Sequence, residues 1–205
     1  FAGRISAEAI AAIAKSFPIY FMIIAIGVGL TAGTNTLIGN NIGANNRKKA
    51  SLFVAQSIIF AVFLSILVTF FGLNVSDFLL SIMGSDPEGI ILSRKYLDII
   101  FYGTVIVLIQ ISLNGALNAQ GDTKSYRNVL IFSFFLNIFL NPLFIFGFGF
   151  IPAFGIAGLA IATVVAQFIG LLYLAHKVYC CELKQYLKFQ CFIPKFNLLG
   201  ELVYQ

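Results

Sequence analysis

From Asn128 to His176 the chain reads NVLIFSFFLNIFLNPLFIFGFGFIPAFGIAGLAIATVVAQFIGLLYLAH, 49 residues without a single Asp, Glu, Lys or Arg. About 20 apolar residues in a helix cross the hydrocarbon core of a bilayer, so this run is long enough for two crossings. Its middle, Gly147 to Gly155, is GFGFIPAFG, dense in residues that interrupt helices. The stretch predicts two membrane helices joined by a tight turn.

Three more charge-free runs precede it: 31 residues over 16–46, 27 over 50–76 and 23 over 99–121. Together they predict five spans, roughly Phe17–Ile42, Leu52–Val75, Leu97–Leu117, Val129–Phe146 and Ile156–Leu174. In lipid every backbone polar group must be satisfied within the protein, which favours helices. Barrel strands would alternate apolar and polar over about ten residues, whereas these runs are apolar on all sides. The predicted fold class is therefore all-α, a polytopic membrane helix bundle. The competing reading, buried helices of a large soluble protein, is disfavoured by composition. The chain is 60% apolar and 10% charged, with a mean hydropathy of +0.96, where soluble domains carry about 25% charge.

The connecting segments set an orientation. The 43–50 loop, the 119–127 loop and the segment from Lys177 onward hold nine basic residues; the opposite side holds four, with Asp77, Asp86, Glu88 and Asp98. By the positive-inside rule, 43–50, 119–127 and 177–205 are expected in the cytoplasm, in a multi-pass protein of the plasma membrane. The net charge of +5 lies in these short segments rather than on one face, so no nucleic-acid partner is expected. Residues 1–178 form the predicted bundle, and 179–205 an interfacial or cytoplasmic linker. The chain begins at Phe1 and ends at Gln205 as a new apolar pattern opens, so a fragment of a longer membrane protein is expected.

Polar chemistry inside the spans is amide and hydroxyl. Gln110, Asn114 and Asn118 recur every four residues on the third span, which puts them on one helix face. Asn137 and Asn141 repeat the spacing on the fourth, with Pro142 as an expected bending point. Thr163 and Gln167 share a face on the fifth. Such residues often serve as interhelical glue; the sharper reading is that the stripes converge on a wet cavity. Enzymatic readings find no support. There is one histidine, no phosphate loop and no nucleophile elbow. A zinc set drawn from His176, Cys180, Cys181 and Cys191 lacks the usual spacing. Three cysteines do not make a disulfide scaffold. No cofactor or metal is expected.

Three stretches carry a resemblance. The first is Gly27-Val28-Gly29 through Thr34, with Ile38-Gly39-Asn40-Asn41-Ile42-Gly43-Ala44 and Arg47-Lys48-Lys49-Ala50. The second runs from Leu113-Asn114-Gly115-Ala116 to Gly121-Asp122-Thr123-Lys124. The third runs from Leu136-Asn137-Ile138 through Asn141-Pro142 to Gly147, followed by Gly155-Ile156-Ala157-Gly158 to Thr163. In this order they resemble the multidrug and toxic compound extrusion (MATE) transporters, over roughly residues 1–180.

The resemblance implies a twelve-helix protein of two six-helix lobes that exports organic cations against Na⁺ or H⁺. This chain would supply helices two to six of the amino-terminal lobe. The expected partners are small amphipathic, cationic substrates, the lipid bilayer and the second lobe. In one branch of the family, a coupling-ion cluster uses an Asp on helix one, an Asn and an Asp one turn apart on helix five, and a Thr on helix six. Asn137 matches that Asn and Thr163 that Thr, but Asn141 stands where the Asp is usual. An amide neither titrates near neutral pH nor supplies negative charge. Coupling is therefore weakened in this lobe or placed in the other one. Asn137, Asn141, Thr163, Gln110 and Asn114 are the expected cavity residues. A lipid-linked oligosaccharide flippase of the same superfamily and a non-transporting structural subunit are the alternatives.

Overall fold

The computed structural model describes residues 6–149 and 152–181, with Leu183, Tyr186, Cys191 and Ile193 beyond them. Among these residues, five helices are long and apolar enough to span a membrane. They are α1 (Ala7–Gly43), α2 (Arg47–Ile82), α3 (Pro87–Asn118), α4 (Lys124–Phe146) and α5 (Ile156–Cys180). The protein is a multi-pass, all-α membrane bundle. Most of the linker expected over 179–205 falls outside the described residues.

The helices overrun the charge-free runs. The starts of α1, α2 and α3 are set by local capping rather than by where the apolar run begins. The side chains of Ser6, Asn46 and Asp86 accept from the backbone N–H groups of Ala9, Lys49 and Gly89, satisfying first-turn donors that have no partner within the helix. Pro87 then occupies the first turn of α3, where its missing N–H costs nothing.

At the start of α4, Asp122 accepts from the N–H groups of Lys124 and Ser125 and from the Ser125 hydroxyl. That hydroxyl bond is the chief reason the Asp122 carboxyl titrates below the usual carboxylate range. The two backbone N–H groups and the charge of Lys177 add to it, against a partial opposition from burial. A carboxyl with a lowered folded pKa stabilises the fold above its ordinary titration range, and the contribution is lost as pH falls through the folded value. Asp122→Ala is thus expected to cost about 1 kcal/mol at neutral pH, with the gap to the parent closing in acid. Thermal melts of the two proteins across pH check this.

α3 is the hub. It packs against α1, α2 and α5, whereas α4 rests mainly on α5 and barely reaches α3. Small residues set the closest approaches. Gly115 of α3 lies against the Thr31 carbonyl and the Thr34 side chain of α1, and Gly103 against Val164 of α5. Gly158 of α5 lies against the Phe144 carbonyl of α4. The α4–α5 turn folds back onto α4: Phe154 and Gly155 donate their N–H groups to the carbonyls of Phe144 and Ile145. Those carbonyls have no later turn of helix to bond to.

Hydroxyl side chains join the helices. Thr69 donates to the Phe101 carbonyl, Thr31 to that of Ile111 and Ser93 to that of Ala12, and Ser112 meets Ser57 at 2.9 Å. Toward the acidic end, Arg94 of α3 reaches across to α2. It donates to the Leu73 carbonyl at 2.7 Å and to Ser76 Oγ at 2.8 Å, and pairs with Asp77 and Asp98. Both α1 and α4 run unbroken through a proline, Pro18 and Pro142 respectively.

Candidate functional site

Not every polar group inside the bundle is met. The buried side-chain atoms without a hydrogen-bond partner include Gln110 Nε2, Asn114 Oδ1, Asn137 Oδ1 and Asn141 Oδ1. Asn137 uses its Nδ2 group on the Ser133 carbonyl of its own helix, at 2.9 Å, and leaves its oxygen unmet. Thr163 donates to the Leu159 carbonyl one turn back, at 2.9 Å. An unmet polar group away from water costs several kcal/mol. Within these five helices the atoms find no partner.

Two contacts fix the register of the antiparallel α4–α5 pair. The Phe144 carbonyl lies against Gly158, and Val129 against Gly170. Between those fixed points Asn137 falls level with Thr163, near the middle of α4, and Asn141 about one turn higher, level with Ala160. The parallel α3–α5 pair is fixed by Gly103 on Val164 and by the Gln110 amide on Gly170. Gln110 therefore sits about 10 Å below the Asn137–Thr163 level, toward the basic-rich end, and Asn114 one turn lower still. By this register Asn137, Asn141 and Thr163 lie at neighbouring levels, and Gln110 and Asn114 on a lower tier. Gln110 is 1% exposed and Asn114 9%, whereas Asn137, Asn141 and Thr163 are half-buried.

The sequence reading missed Ser133. Its hydroxyl is buried and unpartnered on the same face of α4, one turn below Asn137. Its spacing of four from Asn137 was the available signal. The face runs Ser125, Val129, Ser133, Asn137 and Asn141, each one turn apart, and the first three are buried. The opposite face carries Phe134, Phe135 and Phe139, exposed by 56–73%. At the basic-rich end a cleft of about 480 Å³ opens among Arg47, Leu117, Gln120, Asp122, Lys177 and Cys181. No cluster of three or more potential metal ligands occurs among the described residues.

Comparison with known proteins places the chain in a family. The sequence matches the MatE family over residues 1–143. It is 29% identical over 171 residues to the FAD transporter of Shewanella oneidensis, covering 83% of this chain and 38% of that protein. It is 32% identical over 173 residues to the probable multidrug resistance protein NorM of Thermotoga maritima, covering 83% and 37%. Against a solved inward-facing multidrug resistance MATE transporter of the MOP superfamily, the TM-score is 0.84 at 28% identity, covering 96% of this chain and 44% of that one. A MATE structure in the bent conformation gives 0.87 at the same identity, covering 98% and 44%. The chain thus spans well under half the length of these relatives. Five apolar helices, the match over residues 1–143 and the likeness to solved MATE structures lead to one assignment: the chain belongs to the MatE family of transporters and corresponds to most of one lobe.

Proposed function

We propose that the protein is a secondary active exporter of small amphipathic molecules, working by alternating access, and that this chain forms most of its amino-terminal lobe. The observation that carries the reading is the Asn137–Thr163 level, where half-buried amides keep unmet oxygens midway along membrane helices. Such sites in transporters lie near the bilayer midplane, between lobes that rock about them. Pro142, one residue beyond Asn141, is the proposed bending point. The basic-rich end faces the cytoplasm and the protein sits in the cell membrane, following the distribution of Lys and Arg.

Asn141 shapes the coupling. A cluster of amides and one hydroxyl offers oxygens to Na⁺ or water but no titratable group. Coupling to Na⁺ or H⁺ then rests on carboxylates elsewhere in the protein. Relatives described as probable multidrug resistance proteins support a small drug-like cargo. A second reading, a flavin dinucleotide or similar anion, is favoured by the missing carboxylate and by the relative described as an FAD transporter.

The test is uptake into vesicles of the full-length protein, with a fluorescent organic cation and with FAD run in parallel. The double change Asn137→Ala, Asn141→Ala is expected to slow transport of the true cargo about tenfold or more, equivalent to about 1.4 kcal/mol. Unchanged transport removes both residues from the mechanism. FAD uptake without cation uptake selects the second reading.

A further inference from the structure

The side chain of Gln56, on α2, makes two hydrogen bonds that neither the helix packing nor the candidate site accounts for. Its Nε2 donates to the backbone carbonyls of Cys191 and Ile193, at 2.8 Å each. An amide nitrogen carries two hydrogens, so both are used. The two carbonyls are two residues apart, and Pro194 follows in the sequence. The residue before a proline favours extended backbone, in which alternate groups point the same way. One amide can therefore hold both.

The burial pattern of α2 agrees. From Phe53 to Ser57 every residue is buried, and five successive residues take in every side of a helix. Beyond that run the buried residues of α2 are Ala61, Ser65, Ser76 and Leu80, spaced as on one side. Among the five helices α2 packs chiefly on α1 and α3, which cannot surround it. The chain beyond α5 contributes the remaining cover. Cys191 and Ile193 meet Gln56, which is fully buried, and Leu183, also buried, sits in the same core cluster as Phe53, Leu117 and Val178. An amide nitrogen or a peptide carbonyl left unmet inside a membrane bundle is costly, and this contact satisfies three such groups at once.

We infer that Gln56 clamps Leu183, Cys191 and Ile193 to this lobe, so that the free connection to the second lobe begins beyond Ile193 rather than at the end of α5. The inference rests on the proposed function, in which two lobes rock about a shared site. The clamp takes 13 residues, 181–193, out of that connection. Fully extended they would add roughly 40–45 Å of reach, enough to leave the lobes loosely tied. Gln56 is thus a positioning residue: it acts through the connecting chain and sets where the lobes are hinged. The expected cavity residues lie on α3, α4 and α5, none of them on α2.

The experiment uses full-length protein in vesicles, with its cysteines, Cys180, Cys181 and Cys191 among them, replaced by Ser. Lys48→Cys and Ile193→Cys, both at exposed positions, carry nitroxide spin labels, and pulsed electron paramagnetic resonance reads the distance between them. The expected result is one narrow distance distribution that does not move when a fluorescent organic cation, or FAD in a parallel sample, is added at saturation. Gln56→Leu, which keeps the bulk but donates nothing, is expected to broaden that distribution. It is also expected to slow maximal transport about tenfold with the half-saturating cargo concentration unchanged. Gln56→Met replaces it if that variant fails to fold. A parent distribution that is broad, or that shifts when cargo is added, overturns the clamp, since the chain then leaves the lobe. A distribution equally narrow in Gln56→Leu also overturns it, because something other than Gln56 then holds the chain. Broadening without a change in transport overturns Gln56 as a positioning residue. If the parent carries neither cargo, the exporter reading falls by itself, and the clamp is still judged by the narrow distribution and its broadening.

Discussion

Asn141→Asp is expected to add a pH-dependent loss of stability relative to the parent, with the deficit largest at neutral and alkaline pH. The substituted side chain stands half-buried on the inward face of α4, among groups that carry no charge. A carboxylate near the centre of a membrane helix costs about 2.5–3.5 kcal/mol. That cost applies only to the ionised form. Acid removes it by protonation, and Na⁺ offsets it by supplying the missing counter-charge. The melting temperature of the variant should therefore fall below the parent's at pH 8 and recover at pH 5. At pH 8 it should rise on adding NaCl but not an equal concentration of choline chloride. If transport by the parent is insensitive to these ions at this lobe, the variant should acquire a dependence on them. A variant that melts with the parent at every pH places position 141 in open water and removes it from a low-dielectric cluster.

Gly158→Val is expected to be the most disruptive small change in the chain. A side chain at Gly158 runs into the backbone at Phe144 and Ile145, which cannot rotate away as a flexible side chain can. The same backbone receives the N–H groups of Phe154 and Gly155, so a shift there also disturbs the turn. Overpacking typically costs about 1–3 kcal/mol, and backbone displacement in a helix pair places this case at the upper end. The control is Gly29→Ala, where an added Cβ meets nothing within 4 Å and better helix propensity contributes up to about 1 kcal/mol. Thermal melts in detergent separate the two. Equal stability of Gly158→Val and the parent would mean that α4 and α5 do not touch closely at this point.

The sequence shows the number of helices and the approximate position of each, because a charge-free run long enough to span lipid has few other uses. It does not show their ends. Arg94, Asp98 and Asp77 lie within helices, since charged side chains at a membrane surface do not stop a helix. Nor does it show that α3 is central. In water a core helix is more apolar than a peripheral one, but lipid asks for apolar residues on every side, so that contrast is lost. The amide stripes were legible from their spacing of four. That Asn137 meets the level of Thr163, while Gln110 and Asn114 sit lower, depends on how deeply Gly103, Gly158 and Gly170 let the helices slide together. The Arg94 tie to Leu73 and Ser76 depends on tertiary placement, and nothing in its spacing announces it.

The uneven attachment of α4 has a consequence for assembly. A core of three rods, with the third in the middle, can settle in the lipid on its own contacts. Among these five helices the fourth has no such anchorage and gains its seat only once the fifth has entered behind it. The last two would then join as a preformed hairpin, and the polar seam they close would be sealed late, after the framework that flanks it is already rigid.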